Sequence, residues 1–349
     1  MDRILIVAPS WIGDAILSEP LVALLRDPLE EPVVDVLAPA WVAPVYERMR
    51  GIRSIIESTT VHGRFDWNTR RALARTIARN NYSRALVLPN SWKSALIPWL
   101  AKIPQRTGYA GEARWGLIND LRRLDKKNVP RLVDRFAALA GKPNDLVPMP
   151  PRPVLVPDAA NRAAAVHALD LRMEPNIAIL CPGAEFGPAK RWPPTHFAAL
   201  AARFLSDGMQ VWIVGSPNDK LAAESVVQAA GESGRYLRDL TGRTDLGTAI
   251  DLLSLGSVVV SNDSGLMHAA AAVDRPMVAL FGSSSPRFTP PLSHLAKIAQ
   301  IDIECSPCFK RECPKGHFKC MRDLEPRSVY DLARLALLPE LPHADDDSR

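Results

Sequence analysis

The chain has no apolar run near the roughly 20 residues that span a bilayer. Its first stretch, "MDRILIVAPSWIGD", is too short and too mixed in charge for a secretion signal. It reads instead as a first strand, and a cytoplasmic location is expected. Cysteine is scarce: the five present are more readily reduced or metal-bound in that compartment than paired in disulfides. The G-x-G-x-x-G fingerprint is missing too. The loop after the first strand, "APSWIGDAILSEP", carries only Gly13, which weighs against a nucleotide-binding first loop and against a Rossmann oxidoreductase. No recognised nucleic-acid motif occurs, so no nucleic-acid partner is expected.

Apolar residues make up 47% of the 349 positions. That excludes global disorder and provides cores for two domains of ordinary size. The formal net charge of +5 is unevenly spread. Residues 1–150 hold 22 Lys and Arg against 15 Asp and Glu, and the remainder holds 21 against 23. A basic first half and a near-neutral second half imply two domains that meet different partners.

Short β-branched runs alternate with helical patterns. Strands are expected at Arg3–Ala8, Val33–Leu37, Ser54–Glu57 and Arg84–Leu88, with helices over Ala15–Arg26 and Asn68–Asn80. The proline-rich "MPPRPVLVP", from Met149 to Pro157, reads as a semi-rigid linker. The rhythm then restarts, with strands expected at Ile177–Cys181, Val211–Val214, Ser257–Val260 and Met277–Leu280. This βαβ grammar predicts an α/β protein of two Rossmann-like domains with parallel sheets, facing each other across a cleft. The expected division is residues 1–150, residues 151–325, and a C-terminal helix with an acidic tail over 326–349.

In such folds ligands bind beyond the carboxyl ends of strands, so the loops there carry the functional reading. Asp14 follows the first strand beside Gly13. It is either a helix cap or a carboxylate available as a general base. "CPGAEFGPAKRWPPTHF", Cys181 to Phe197, is a rigid cationic loop with Lys190 and Arg191, suited to an anion. "GSPNDK" brings Asp219 to a helix start, where it could accept hydrogen bonds from a ribose diol. "SNDSGLMHAAAA" places Asp263, Ser264 and Gly265 at the opening of a helix whose free N–H groups and dipole suit a phosphate. Each has a plainer structural alternative: a solvated lysine, two capping aspartates, and a core imidazole at His268. Their joint occurrence at strand ends of one sheet favours a nucleotide-diphosphate site.

These loops carry a resemblance. "PSWIGDAILSEP", "LPNSWKSALIPW", "RTGYAGEARWGLIND", "CPGAEFGPAKRWP" and "NDSGLMHAAAAVDRPMVALFGSSSP" closely resemble the ADP-heptose:lipopolysaccharide heptosyltransferases, from Met1 to about Ser293. The resemblance implies a GT-B fold, with acceptor bound by the first domain and ADP-heptose by the second. It also implies an inverting transfer that requires no cofactor. By motif position Asp14 matches the catalytic base and Lys190 the lysine on the donor phosphates. Gly183, Ala184, Asp219, Asp263, Ser264, Gly265, Leu266 and His268 fall in the donor motifs, and Ser10, Gly13, Asn90 and Lys93 in the acceptor motifs. Ala8 stands where members that add the first heptose carry a lysine, which favours those that add the second. The implied acceptor is then Kdo2-lipid A bearing one heptose.

Two further clusters remain. Arg64 to Arg84 contains six arginines and one acidic residue, and Arg114 to Arg131 has six Lys and Arg against two Asp. These read as solvated faces or, with the resemblance, as partners for an anionic lipid acceptor at the cytoplasmic surface of the inner membrane. "CSPCFKRECPKGHFKC" sets Cys305, Cys308, Cys313 and Cys320 within sixteen residues. Either a structural zinc or iron, or four reduced thiols, fits that spacing. Cys181 stands alone and is expected in the core.

Overall fold

The computed structural model describes residues 2–26, 32–58, 66–142, 149–173, 175–230 and 236–338. The acidic tail and Arg64 lie outside them. The chain forms two compact units. The first comprises Met1–Ala164, Asp245–Asp251 and Ser285–Leu292, and the second Ala165–Thr244, Leu252–Ser284 and Ser293–Arg349.

The first unit holds β1 (Arg3–Val7), β2 (Val33–Pro39), β3 (Ile52–Ser58), β4 (Arg84–Val87), β5 (Gln105–Tyr109) and β6 (Asp120–Arg122). They form one sheet in the order β3-β2-β1-β4-β5-β6, with every pair parallel. The second unit holds β7 (Ile177–Cys181), β8 (Gln210–Ile213), β9 (Leu237–Asp239), β10 (Val258–Asn262), β11 (Met277–Leu280) and β12 (Ala296–Ala299). Their order is β12-β11-β10-β7-β8-β9, again all parallel. Counting each sheet's own strands, both read 3-2-1-4-5-6, the Rossmann order. That order reverses between β1 and β4 and between β7 and β10, and such switch points open a crevice at the strands' carboxyl ends.

The expected central strands are all present. Those not anticipated are short or polar. β6, β9 and β12 are sheet edges with a single neighbour, so no continuous apolar run is required of them. β5, "QRTGY", carries Gly108 because the Arg114 guanidinium lies against it, where a Cβ would meet Nη2 at 3.0 Å. By contrast β7, "IAILC", is buried at every position, as expected for a central parallel strand covered on both faces.

The helix Pro194–Ser206 shows how the second core is built. Phe197, Leu200, Ala201 and Phe204 recur at helical spacing, and all are buried against β7, β8 and β10. Each large side chain so buried contributes about 1.5–3 kcal/mol. The helix Pro326–Ala336 adds Val329 and Ala333 to the same core.

The proline-rich stretch is fastened to the first unit. Val154 N–H donates to the Glu19 carboxyl at 3.1 Å, Val156 N–H to the Arg48 carbonyl at 2.8 Å, and Leu155 is buried. Asp158 N–H donates to Asp251 at 2.9 Å. Asp251 also forms a bidentate ion pair with Arg48 at 2.7 and 2.6 Å, which anchors the returning segment Asp245–Asp251.

Candidate active site

In the second unit the loops after β7 and β10 meet at the switch point. Lys190 Nζ lies 2.5 Å from Asp263 Oδ2. The Ser284 hydroxyl donates to the same oxygen at 2.5 Å. The lysine also sits over the Phe186 ring, 5.2 Å from its centroid. This cation is therefore oriented by Asp263 and Phe186, with Ser284 bracing the aspartate, rather than waving in solvent. Asn262, fully buried, sets the loop's path: its amide donates to the Pro182 carbonyl at 2.7 Å and its Oδ1 accepts from Trp192 N–H at 3.0 Å. One side chain at the end of β10 thus holds both ends of the loop that presents Lys190. Gly187 lies against the Arg311 carbonyl, where a Cβ would come to 2.5 Å, and Ala189 N–H donates to that carbonyl at 3.0 Å.

The helix Gly265–Ala272 starts beside this pair, with Ser264 as its N-cap residue. Its first N–H groups have no partner within the helix and carry the positive end of the dipole. His268 is buried one turn in, and desolvation lowers its pKa from 6.5 to about 4, so the imidazole is neutral at physiological pH. Asp219 lies beyond β8. It accepts from the Ser216 N–H at 2.9 Å and from the Ser216 hydroxyl at 2.8 Å, both on Oδ2. Gly183 abuts this carboxylate, so a side chain there would collide with it. Ala184 is buried, and its carbonyl accepts from Arg191 Nε at 3.3 Å. Gly183 thus meets Asp219 and Lys190 meets Asp263, while Ser264, Gly265, Leu266 and His268 lie at the start of the helix beside the second pair.

In the first unit the loops after β1 and β4 flank the other switch point. The helix Ile12–Leu17 has Trp11 at its N-cap, so Asp14 occupies the first turn with Gly13 rather than the cap itself. Below it the Ser18 hydroxyl pairs with the buried Tyr46 hydroxyl at 3.1 Å. Burial raises the Tyr46 pKa, and the nearby Asp14 charge adds to that rise. Trp41 Nε1 donates to the Ser10 carbonyl at 3.0 Å. After β4, Asn90 Oδ1 accepts from Arg114 Nη2 at 3.4 Å, and the Lys93 carbonyl accepts from Arg70 Nη1 at 3.0 Å.

Two sequence expectations need correction. Arg114 is 1% exposed. It donates to the Pro89 carbonyl at 2.6 Å and to Tyr109 at 2.8 Å, so it braces the β4 loop and presents no charge to a partner. Arg70 is likewise buried. Arg71, Arg75 and Arg79 remain as an exposed stripe at a spacing of four along the helix Trp67–Ala78 and its C-cap. The second correction concerns the cysteines. Cys305, Cys308, Cys313 and Cys320 do line one small pocket together with His317. A zinc ion would need its sulfurs about 2.3 Å from one point. Among the described residues no group of three or more His, Cys, Asp or Glu side chains is arranged to hold a metal ion. That geometry does not support the metal alternative, and none of the five cysteines is in a disulfide. They are not equivalent. Backbone N–H groups of residues 315–318, Phe318 foremost, hold the Cys313 thiol below its usual pKa, whereas burial and the three neighbouring thiols push Cys320 up. Cys181 is fully buried in the core.

Asn262, Ser284 and Tyr46 escaped the sequence reading, and Arg114 was read only as part of a basic stretch. Asn262 and Ser284 lie inside the quoted motifs, but only the fold reveals that they brace the loops rather than fill space.

A cavity of about 290 Å³ in the first unit, lined among others by Glu47, Arg48, Asp158 and Asp245, contains none of these residues. Among the described residues no helix is long and apolar enough to cross a membrane.

Residues 70–319 match the sequence profile of glycosyltransferase family 9 (heptosyltransferase). Lipopolysaccharide heptosyltransferase 2 of Escherichia coli is 40% identical over 349 residues, covering 97% of this chain and 99% of that protein. Lipooligosaccharide heptosyltransferase 2 of Haemophilus influenzae is 41% identical, covering 94% and 97%. The structure of E. coli ADP-heptose lipopolysaccharide heptosyltransferase II superposes with a TM-score of 0.86 at 38% identity, covering 96% of this chain and 98% of that one. The GT-B assignment of two Rossmann-like units agrees with this match.

Proposed function

The chain belongs to glycosyltransferase family 9, the heptosyltransferases, and from that premise we propose that it moves L-glycero-D-manno-heptose from ADP-heptose onto the first heptose of heptosyl-Kdo2-lipid A. The observation that carries this reading is the Lys190–Asp263 pair beside the start of the helix Gly265–Ala272, at the switch point of the second sheet. The donor's diphosphate is met by a positioned ammonium and by the free N–H groups of that helix. Asp219 accepts from the ribose hydroxyls, and Gly183 leaves room for the nucleotide beside it.

In the transfer the acceptor hydroxyl loses its proton to Asp14 as its oxygen bonds the anomeric carbon. The bond from that carbon to the phosphate oxygen breaks on the opposite face, which inverts the configuration. The charge that leaves on ADP is stabilised by Lys190 and the helix N–H groups, and fixed donors of this kind are the largest single catalytic contribution in many enzymes. Ser10, Gly13, Asn90 and Lys93 bind the acceptor. No divalent metal is required, and EDTA should leave turnover unchanged.

The acceptor is a charged lipid, and the first unit has the surface for one. Arg71, Arg75 and Arg79 attract anionic headgroups, and the half-exposed Trp11 and Trp41, beside the Ser10 loop, suit an interface that is apolar on one side and wet on the other. Peripheral contact with the cytoplasmic face of the inner membrane follows from this reading.

The test is turnover with defined acceptors. ADP release is expected with the one-heptose acceptor and not with Kdo2-lipid A alone. Release with the heptose-free acceptor would reassign the step, and ADP binding without release from either would make the protein a non-catalytic binder.

A further inference from the structure

Lys190 and Asp263 meet at 2.5 Å, so the pair carries no net charge. The proposed donor brings a negative charge on each phosphate, and its leaving group gains another as the bond to the sugar breaks. Against that, the start of the helix Gly265–Ala272 offers roughly half an elementary charge. A diphosphate site built from these parts alone is short of positive charge.

A second cation is fastened to the same loop. Arg311 arrives on the segment after β12, and its carbonyl accepts the Ala189 N–H at 3.0 Å. That carbonyl oxygen lies 2.5 Å from the point where a Cβ on Gly187 would sit, so glycine is what lets the two segments come this close. The guanidinium reaches back over Phe186, with Cζ 5.6 Å from the ring centroid. Lys190 Nζ lies 5.2 Å from the same centroid. One aromatic ring therefore spaces the two cations, which stand no farther apart than those two distances end to end. The ring attracts both through its quadrupole and, unlike Asp263, cancels neither charge. Arg311 is exposed, so a ligand has access to it. Arg191, the remaining cation of the loop, has its Nε engaged by the Ala184 carbonyl at 3.3 Å.

We propose that Arg311 is the second cation of the donor site and takes the phosphate bonded to the sugar. A guanidinium presents paired N–H donors that match two phosphate oxygens at once. When the bond from the anomeric carbon breaks, its electron pair stays on an oxygen of that phosphate. Arg311 meets the charge there, while Asp263 keeps Lys190 in place. The inference deepens the donor reading of Lys190 and rests on it. It also gives residues 305–320 a part in the chemistry that calls for neither metal nor disulfide: they carry Arg311 to the loop.

Titration calorimetry on the full chain separates the inference from the reading beneath it. ADP and AMP are titrated into the parent, Arg311→Gln, Arg311→Lys and Lys190→Ala. The backbone bond from residue 311 to Ala189 survives every substitution at 311, so these variants remove the guanidinium and keep the tether. Arg311→Gln should weaken ADP about tenfold or more and leave AMP near the parent value. Arg311→Lys should recover part of that loss, and the loss should shrink as salt is raised. Unchanged ADP affinity in Arg311→Gln, with Lys190→Ala still impaired, would overturn the inference and spare the donor reading. Equal weakening of ADP and AMP would overturn it as well, since a displaced loop and not a lost phosphate contact would be the cause. Unchanged ADP affinity in Lys190→Ala would strike the donor reading and the inference with it.

Discussion

The two units share one strand order and treat their tryptophans oppositely. In the first, Trp11, Trp41, Trp67, Trp99 and Trp115 are exposed, the last at 77%. In the second, Trp192 and Trp212 are buried, and Trp192 Nε1 is spent on the Leu324 carbonyl at 2.9 Å. One cationic feature of each unit also differs. The first unit displays Arg71, Arg75 and Arg79, whereas the second uses Lys190 inward, with its side chain 17% exposed. The same scaffold thus exposes its indole rings in one copy and buries them in the other, where a lysine is braced against an aspartate. The proposed lipid-linked acceptor and nucleotide donor call for that difference.

Substitutions confined to one unit should break one half of this division and spare the other. The largest effect is expected at Asp14. Asp14→Asn removes a base worth about 10²–10⁴-fold in rate, so heptose transfer should fall at least about a hundredfold while ADP affinity stays at the parent value. Transfer near the parent rate would mean that Asp14 has only a structural part. Lys190→Ala is the converse lesion. It should weaken donor use by about 2–4 kcal/mol and leave acceptor binding intact, which donor saturation curves would measure.

A third prediction concerns pH and the second unit. His268 is held neutral by burial, with its pKa lowered to about 4. The unfolded chain binds a proton near pH 6.5 and the folded chain does not, so this residue's contribution is fully present above 6.5 and is lost as pH falls toward 4. Between pH 7 and 5 that loss is about 2 kcal/mol. Denaturant unfolding of the parent and of His268→Gln at the two values should show the variant less sensitive by about that amount. Glu19, in the first unit, has the opposite sign. Burial raises its pKa to about 7, so its contribution is lost as pH rises, and Glu19→Gln should gain most relative to the parent above pH 7.

The smallest effect is expected on the arginine stripe. Each of Arg71→Ala, Arg75→Ala and Arg79→Ala should reduce binding to anionic vesicles by about 1 kcal/mol, less at high salt, with no change in ADP affinity. Vesicle binding insensitive to all three would place the lipid-facing surface elsewhere.

Residues whose neighbours lie close in sequence were legible from the start. The central strands are contiguous apolar runs, and the loops that follow them carry Asp14, Lys190, Asp219 and Asp263 within short patterns whose chemistry can be read from residue type. The edge strands β9 and β12 were not legible, because a three- or four-residue strand with one neighbour imposes no pattern of its own. The cysteines were legible as a cluster and not as a geometry, since spacing brings thiols near one another without fixing the angles a metal demands.

By itself, then, the sequence determined the βα alternation and the restart of that rhythm in a second sheet, both products of local pattern. Tertiary structure alone decided which charges face inward. Arg48 finds Asp251 across 203 positions, Lys190 finds Asp263 across 73, and Asn262 reaches back 80 to Pro182. A buried ion or amide is stable only where its hydrogen bonds are met. Those partners are brought within reach by the crossovers of a parallel sheet, which no local window contains.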